Sequence, residues 1–523
     1  MTTTHPIALP SGPLATPDPY GVHAWADGHF VVDSHGRFCL QPGPLDTPPV
    51  PLQDVLDAAT KQGASLPCVI RVPGVLTERS GRLQRAFDRA LEDHAPTADY
   101  IPLYPVKVNP SRRVVETLLQ TQGRFGLEVG TKAEMALALL QASDHPIHIS
   151  VNGTKDASYL AMAAEAQALG CHPTVILESQ QDISLVRDTA DSQTLPLGVR
   201  LKPHTQASGR WADSGGPAAH FGFDLASLLR TTPTLAESTL LSRVQVLHMH
   251  AGSQITSLQS LKALAQEAAE AYVALRQAGW PLTTVNFGGG LAVDYDAQAG
   301  ASDTSCDYDV TAYARTLVGT LADVCAVSGQ PVPDVQTESG RYLTAHHALV
   351  VADATRNPDD RPANGDTQAP EGWTVHLSLF QSMPDAWALG MLFPVLPLDG
   401  IHDPMDHRPA LLTDTTCDSD GRIKRYVTGY GPMAGMPMPV TPDGRRRLAF
   451  CLTGAYQEVL ANAHNLFGRP TEVSVQTDHG RVNVTIDRPV QSVASILNNF
   501  GYDVKEAHDD PVTPYAQPTA RKP

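Results

Sequence analysis

The sequence predicts an α/β protein in which a closed (β/α)8 barrel is followed by a β-rich domain. Between about residue 67 and residue 345, short β-branched runs alternate with stretches of helical periodicity, and repeated βα units of this kind form parallel sheets. About eight such units in one region indicate that the sheet closes into a barrel. Polar and glycine residues also gather at the carboxyl ends of these runs, where such barrels carry their active sites.

The predicted strands of this region are short and rich in β-branched residues, and amphipathic helices such as residues 260–279 separate several of them. They are PCVIRV (67–72), YIPLYPVKV (100–108), FGLEVG (125–130), IHISVNG (147–153), PTVILES (173–179), PLGVRL (196–201), VQVLHMHAGS (244–253), TTVNFGGG (283–290) and DVQTESGR (334–341). The polar and glycine residues at their carboxyl ends are Lys107, Glu128, Asn152, Arg200, His250, Ser253, Gly288, Gly289, Gly290 and Glu338.

The sequence divides into three predicted parts. Residues 67–346 form the barrel, and residues 347–523 form a β-rich domain in which prolines and short strands dominate. Residues 1–66 contribute the strands HFVVDS and RFCL, which we expect to pack on the β domain and complete its sheet. The polar stretch 356–372 is predicted to be a linker or surface loop, and the Pro- and Thr-rich chain ends are predicted to be frayed.

Composition excludes several classes of protein. The chain has 523 residues, of which 42% are hydrophobic and 18% charged, as in ordinary globular proteins. A formal net charge of -17 disfavours nucleic acid and anionic membrane as partners. Seven scattered cysteines without a CxxC pair predict a reducing cytoplasm and no disulfide framework. The sequence also contains no predicted transmembrane or signal segment.

Lys107 is the single charge in the apolar stretch IPLYPVKVNP. In one interpretation it faces water from an edge strand. In the other it lies against an apolar wall, which lowers its pKa and makes the neutral amine a nucleophile that can form a Schiff base. The strand pattern alone leaves both interpretations open.

Four further motifs have both a structural and a functional interpretation. The glycines of VNFGGG form either a plain tight turn or a cradle for a phosphate. In TESGR, Glu338 and Arg341 form either a local ion pair or contacts to a ring nitrogen and a phosphate. His248 and His250 are core residues or site residues, and no third ligand supports zinc. The CDSDG loop carries Cys417, and its spacing does not fit a calcium loop.

Together these residues supply what pyridoxal 5′-phosphate requires of a protein. They include a lysine for its aldehyde, glycines and an arginine for its phosphate, a carboxylate for its ring nitrogen and a histidine to stack on its ring. With those motifs in hand, the chain closely resembles the biosynthetic arginine decarboxylases, which are fold type III pyridoxal-phosphate decarboxylases. The matching stretches include YPVKVNPSRRVVETLL, GLEVGTKAEM, SGRW with SGG, HAGSQ, FGGGLAVDYD, TESGRYLTAHH, LSLFQSMPDAW, CDSDG and GAYQEVLANAHNLFG.

The resemblance implies a pyridoxal-phosphate-binding (β/α)8 barrel joined to a β domain, with active sites shared across a homodimer. In it, Lys107 would hold the cofactor, His250 would stack on the ring and Glu338 would bind its nitrogen. Cys417 would come from the partner subunit as the proton donor. Asp418, also from the partner, and Asp385 are the predicted substrate carboxylates. The other residues expected around the cofactor are Glu128, Arg200, Ser253, Gly288, Gly289, Gly290, Arg341 and Tyr456.

The predicted activity is decarboxylation of L-arginine to agmatine and CO2, at the head of polyamine (putrescine and spermidine) synthesis. One alternative keeps the chemistry on ornithine, diaminopimelate or a modified arginine, of which diaminopimelate fits an acidic site worst. Others are a non-catalytic decoy, disfavoured because Lys107 and Cys417 are both present, and a phosphate-binding barrel without the cofactor.

Two further expectations come from the resemblance. The larger bacterial members carry a long helical insertion that is tied to their higher-order assembly. This chain has only residues 356–372 in that place, so the resemblance does not imply assembly beyond a dimer. Magnesium is often associated with the family, but the sequence offers no ligand set for it.

Overall fold

The structure, a computed structural model, describes most of the chain. The described residues are 18–42, 48–121, 125–142, 146–205, 221–298, 300–357, 370–402, 407–478 and 481–504. The SGRW and SGG motifs (208–216), most of the predicted linker 356–372 and the two chain ends lie outside them.

An N-terminal segment precedes the barrel and builds a small sheet of its own. Three short strands pair antiparallel in the order β1-β2-β3. Its elements are α1 (Val22–Trp25), β1 (Phe30–Val32), β2 (Phe38–Leu40), β3 (Val50–Pro51) and α2 (Leu52–Lys61), followed by β4 (Cys68–Arg71) and α3 (Pro73–His94).

The next strands form a closed parallel barrel, which confirms the predicted fold class. They are β5 (Tyr100–Pro105), β6 (Gly126–Val129), β7 (His148–Val151), β8 (His172–Leu177), β9 (Leu197–Leu201), β10 (Val244–Met249), β11 (Thr284–Asn286) and β12 (Asp334–Thr337). Each pairs with its neighbour in chain order, and β12 closes on β5 with Gln336 opposite Ile101. The carboxyl ends of all these strands therefore meet at one face.

Helices follow the barrel strands and form its outer layer. They are α4 (Arg112–Leu119), α5 (Lys132–Ala142), α6 (Ala157–Ala168), α7 (Gln180–Asp188), α8 (Leu225–Glu237), α9 (Leu258–Gln277) and α10 (Val310–Ser328). The helix α3 packs between α10 and α4 and so takes the remaining place in the ring. Local sequence sets the helix ends: the Asp309 carboxylate accepts from Ala312 N–H at the start of α10, and Gly329, at φ 65°, ends it.

A second, mixed sheet follows the barrel. Its elements are α11 (Gly340–Thr344), β13 (Ala348–Arg356), β14 (Glu371–Val375), α12 (Leu379–Ser382), α13 (Pro384–Ala388), β15 (Val395–Pro397), β16 (His407–Asp414), β17 (Met436–Pro439), β18 (Arg445–Phe450), β19 (Thr471–Asp478), β20 (Arg481–Arg488) and α14 (Val493–Asn498). The strand order is β17-β16-β14-β13-β4-β19-β20, and β18 pairs with both β13 and β15.

Two predictions about the N-terminal strands need correction. The strand β4 was predicted within the barrel, but it lies in the mixed sheet, antiparallel to β13 and parallel to β19. The strands β1 and β2 were predicted to complete that sheet, but they form the small sheet instead. They still contact the β domain, since Phe38 N–H donates to Leu398 O (2.9 Å). A hydrophobic run shows that a strand exists, but its partners depend on distant residues.

Among the described helices, α10 is long and apolar enough to cross a membrane by length and composition alone. Half of its apolar window is buried, and its side chains pack against α3 and α9 in the outer layer of the barrel. In this fold the helix is part of the core.

Candidate active site

Lys107 lies just past the end of β5, in a 3-10 turn at Val106–Val108. The predicted strand had included it, so the strand is shorter than expected. The turn is held from the β domain, because Tyr456 N–H donates to Val108 O (2.8 Å). The strand β5 pairs with β6 and β12 inside the closed barrel, which excludes the edge-strand interpretation of Lys107.

The Lys107 ammonium is paired with a buried carboxylate. Its Nζ donates to Glu128 Oε2 (2.7 Å), and Asn152 Nδ2 donates to the other oxygen of Glu128 (2.9 Å). Glu128 and Asn152 come from the ends of the next two strands of the barrel. Parallel closure of the sheet is what brings these three distant residues together.

The expected pKa of Lys107 was wrong. Burial lowers the pKa of Lys107, but the Glu128 and Glu338 carboxylates raise it by more, so it lies above its ordinary value. The side chain is 45% exposed within one chain, and water therefore screens part of this attraction. For Glu128, burial is the dominant cause and raises the pKa of the carboxyl. Lys107 is therefore held as the ammonium, beside a carboxyl that takes up a proton more readily than an ordinary glutamate.

Glu338, at the end of β12, is buried with two hydrogen-bond donors. His248 Nε2 lies 3.2 Å from Glu338 Oε1, and Asn286 Nδ2 donates to the same oxygen (3.1 Å). Burial alone would raise the pKa of Glu338, but His248, Lys107 and His250 lower it to about 2. The carboxylate is therefore ionised at neutral pH inside the protein.

We expect the stability contributed by Glu338 to depend on pH. Because its folded pKa lies below the ordinary value of 4.5, the ionised carboxylate stabilises the fold above pH 4.5, and this is lost as the pH falls towards 2. Without added cofactor, Glu338→Gln should lower the free energy of unfolding by about 1–3 kcal/mol at neutral pH. Urea unfolding from about pH 6 to about pH 3 should show this difference shrinking. A constant difference would contradict the ionised state.

His250 follows β10 and is held as a neutral ring. Burial is the largest cause that lowers the pKa of His250, and Arg200 lowers it further, to about 3. Gly252 N–H donates to its Nδ1 (3.3 Å), so the ring proton is on Nε2. A flat, uncharged ring is suited to stacking on another aromatic ring.

Two of the three glycines after β11 have no room for a side chain. Gly288 and Gly290 have φ values of 61° and 124°, which other residues rarely adopt. A Cβ on Gly288 would approach His250 Cβ to 2.8 Å, and one on Gly290 would approach Ile255 Cδ1 to 2.7 Å. Here the glycines are required by the geometry of the turn, and they leave its backbone accessible beside Ser253.

Arg341, in α11, lies at the same end of the cleft. Its Nε donates to Ser253 Oγ (3.2 Å) and its Nη1 to Tyr295 Oη (3.1 Å). The guanidinium carbon lies 4.9 Å from the centre of the Tyr456 ring, a cation–π distance. The backbone of Tyr456 has φ 69°, which is unusual for a residue with a side chain and shows that its position is imposed by the surrounding contacts.

Most of the predicted cofactor residues line one cleft at the carboxyl face of the barrel. They are Lys107, His250, Ser253, Gly289, Gly290, Glu338, Arg341 and Tyr456. Glu128 and Gly288 do not line the cleft themselves but adjoin residues that do: Glu128 accepts from Lys107, and Gly288 lies against His250. Arg200 is held beside them, because its Nη1 donates to Glu178 Oε1 (2.6 Å).

A wider cleft of about 720 Å³ lies next to this one, between the start of α4 and the hairpin β19–β20. Among the described residues that line it there is no lysine, histidine or cysteine. Several of its arginines are already paired with carboxylates, as in Arg112–Glu116, Arg113–Asp487 and Arg488–Glu472. The chemistry-bearing residues are in the smaller cleft.

Comparison with known proteins agrees with this arrangement. Residues 80–345 match the family described as pyridoxal-dependent decarboxylase, pyridoxal binding domain. The biosynthetic arginine decarboxylase of Escherichia coli (strain K12) is 32% identical in an alignment 582 residues long, which covers 93% of this chain and 88% of that protein. The chain belongs to the biosynthetic arginine decarboxylase family.

Solved structures similar to this member of the biosynthetic arginine decarboxylase family have the same fold. The biosynthetic arginine decarboxylase of Campylobacter jejuni matches with a TM-score of 0.79 and 25% identity, over 92% of each chain. A diaminopimelate decarboxylase from M. jannaschii matches with a TM-score of 0.68 and 18% identity, over 90% of this chain and 98% of that one. The match to the diaminopimelate decarboxylase shows a shared fold only.

The cleft fits the cofactor of the biosynthetic arginine decarboxylase family. The Gly289 and Gly290 backbone, Ser253 and Arg341 would hold its phosphate, since a backbone without Cβ atoms next to a guanidinium suits that group. The ionised Glu338 would bind its ring nitrogen. These are the contacts that pyridoxal 5′-phosphate requires of a protein.

Cys417 and Asp418, which the family resemblance assigns to the partner subunit, do not line the cleft of their own chain. They lie in an exposed loop after β16. Cys417 N–H donates to Asn465 Oδ1 (3.3 Å), and Asp418 Oδ2 lies 3.9 Å from His464 Nε2. Their placement leaves them available to another molecule.

Asp385 is not brought to the cleft either. It lies in the first turn of α13 and is buried, with Gln457 Nε2 donating to its Oδ2 (2.8 Å). Its charge is close enough to raise the pKa of Arg341. Within one chain, therefore, it lies behind the phosphate end of the cleft rather than at an open substrate position.

Sequence reasoning left His248 open as a core or site residue and missed Asn286 and Lys155. His248 and Asn286 hold Glu338, while Lys155 Nζ donates to Glu178 (3.2 Å), the carboxylate that binds Arg200. The HxH motif pointed to His248 beforehand, since alternate residues on a strand face one side. Lys155 has no such signal, because it lies in a loop and its side chain is fully buried.

Proposed function

We propose that this protein is a pyridoxal 5′-phosphate-dependent L-arginine decarboxylase that forms agmatine and CO2. One observation carries the proposal: Lys107 lines the same cleft as the glycine turn, Arg341 and Glu338. The relatives named arginine decarboxylases, at 32% identity over 93% of this chain, support arginine as the substrate.

Each residue of the cleft has a separate role in the proposed reaction. When bound, pyridoxal 5′-phosphate supplies an aldehyde for amines and a ring that takes up the negative charge left by departing CO2. Lys107 would hold the aldehyde carbon until the substrate amine replaces it. Glu338, ionised beside the ring nitrogen, would keep that nitrogen protonated. His250 would orient the ring by stacking on one face without adding charge.

Glu128 is suited to moving the proton of Lys107. An ammonium must lose a proton before its nitrogen can attack a carbonyl carbon. Glu128 Oε2 is 2.7 Å from Nζ, and burial raises the pKa of its carboxyl, which makes it a better proton acceptor than an ordinary glutamate. Asn152 keeps the carboxylate oriented during the transfer.

A homodimer with shared sites supplies the proton donor in this proposal. Large apolar side chains are exposed on two segments that meet at Phe380, and together we call them the apolar patch: Trp387, Leu389, Val459, Leu460 and Leu466. The Phe380 ring contacts both Trp387 and His464, so the segments of the patch adjoin the Cys417 loop. Exposed apolar surface of this kind marks protein interfaces. A second copy on the patch would bring Cys417 of the partner subunit to the cleft, where its thiol protonates Cα.

Asp418 of the partner subunit is the favoured partner for the substrate guanidinium. A guanidinium binds a carboxylate through two parallel hydrogen bonds, and Asp418 is exposed on the same loop as Cys417. Asp385 ranks second, because its carboxylate is buried and already accepts a hydrogen bond from Gln457.

Three further proposals rest on the family likeness. They are a place in polyamine synthesis, a cytoplasmic location and a role for Mg²⁺. In the described part of the chain, no group of three or more histidine, cysteine or acidic residues could hold a metal ion.

The substrate proposal predicts a ranking. With cofactor present, kcat/KM for L-arginine should exceed that for L-ornithine and L-lysine by about 100-fold, because only the guanidinium pairs with a carboxylate at two points. Release of labelled CO2 from a panel of amino acids measures this. Faster turnover of ornithine or lysine would remove the arginine assignment. A modified arginine that outruns arginine would favour a specialised pathway.

A further inference from the structure

A buried arginine lies behind the Lys107 turn, outside the residues assigned to the cofactor. Arg71 is the last residue of β4 and is completely buried. Its Nη2 donates to Glu458 Oε2 (2.5 Å) and to Glu472 Oε2 (2.9 Å). The two carboxylates more than offset burial and raise the pKa of Arg71, while Arg71 lowers the pKa of Glu458. The pair is therefore fully charged inside the protein.

The second oxygen of Glu458 connects this pair to the Lys107 turn. Asn109 Nδ2 donates to Glu458 Oε1 (3.1 Å) and to Gly454 O (3.0 Å). Asn109 is two residues after Lys107, so its side chain ties the end of the turn to the segment 454–458. A chain of charged hydrogen bonds thus runs from β4 in the mixed sheet to the barrel.

The segment 454–458 also carries the cofactor end of the cleft. Tyr456 N–H donates to Val108 O, and its ring packs on the Arg341 guanidinium. Glu458 and Tyr456 lie on either side of Gln457. Any shift of Glu458 would therefore move Tyr456 and the Lys107 turn relative to each other.

We propose that Glu458, held by Arg71, is a positioning residue that sets the Lys107 turn against Tyr456 and thereby determines how tightly the cofactor is retained. The inference rests on the proposed cofactor site. Its physical basis is the low tolerance of covalent attachment to misplacement, because the amine and the phosphate contacts must fit one rigid molecule at once.

Glu458→Gln is the decisive variant, because it keeps the shape and removes one acceptor. An amide can accept at only one of the two positions where the carboxylate accepts from Arg71 and Asn109. Arg71 keeps Glu472, which also pairs with Arg488 (2.8 Å). No buried arginine is left unpaired, so the variant should fold.

The test compares the full-length chain with and without pyridoxal 5′-phosphate. We expect Glu458→Gln to raise the cofactor dissociation constant about tenfold and to shrink the rise in Tm that added cofactor produces. Tm without cofactor should also fall, because a buried arginine loses one of its two carboxylate partners, so the cofactor-dependent rise is the readout that tests positioning. Asn109→Ala should raise the dissociation constant at least as much, because it breaks the bonds to both Glu458 and Gly454 O. The double variant should bind the cofactor no more weakly than Asn109→Ala alone, because both changes break the same link between Asn109 and Glu458.

Glu371→Gln is the matched control. Glu371 is a buried carboxylate of the same sheet, paired with Arg408 (2.8 Å), and it is not among the residues that line the cleft. Glu371→Gln should lower Tm by the same amount with and without cofactor. If Glu458→Gln also lowers Tm by the same amount in both states and leaves the dissociation constant unchanged, the inference is overturned while the proposed function stands. A wild-type chain that retains no cofactor would overturn both.

Discussion

Lys107→Ala is expected to abolish covalent retention of pyridoxal 5′-phosphate and to lower kcat by about 10³-fold or more. The Lys107 amine lines the same cleft as the glycine turn and Glu338. Loss of the amine removes both the attachment point and the group that releases product. Borohydride reduction followed by peptide mass spectrometry should find the cofactor on Lys107 in the wild type and nowhere in the variant.

Two controls separate attachment from charge. Lys107→Arg keeps a cation beside Glu128 but cannot attach to an aldehyde, so it should be as inactive as the alanine variant. Lys132→Ala removes an exposed lysine that pairs with Asp156, and it should keep full activity and the labelled peptide. A labelled peptide other than that of Lys107 in the wild type would show that the anchor has been assigned wrongly.

The order of the barrel strands was predictable because it depends on local patterns. Each of the runs from YIPLYPVKV to DVQTESGR becomes a barrel strand, and their carboxyl ends bring Lys107, Glu128, His250 and Glu338 together. β-branched runs followed by amphipathic helices leave little choice except a parallel sheet. The glycine run was equally readable, since its positive φ values at Gly288 and Gly290 require glycine.

The electrostatics of the site could not be predicted from one strand at a time. The apolar surroundings of Lys107 in sequence suggested a lowered pKa, yet Glu128, 21 residues away in sequence, reverses the direction. The pairing of β4 with β13 and β19 escaped prediction for the same reason. Short apolar runs of similar composition fit either sheet, and only the distant partners decide between them.

Cys417→Ala is expected to lower agmatine formation by about 10²-fold, because general acids contribute rate factors of about 10²–10⁴. Cys417 is exposed, so removing its sulfur creates no cavity and should leave Tm unchanged. Cys451→Ala is a useful contrast, since that cysteine is buried and its loss should affect stability rather than turnover. Equal turnover in Cys417→Ala and wild type would exclude the thiol as the proton donor.

Mixing two inactive variants tests whether the sites are shared between subunits. If Cys417 serves the cleft of the partner subunit, a heterodimer of Lys107→Ala and Cys417→Ala has one site with both residues intact and one with neither. Random reassociation of equal amounts makes half of the dimers heterodimers, so about a quarter of wild-type activity should return. A site built within one chain would recover none, because every cleft would lack one residue. Leu460→Asp, which places a charge in the apolar patch, should prevent recovery by blocking association.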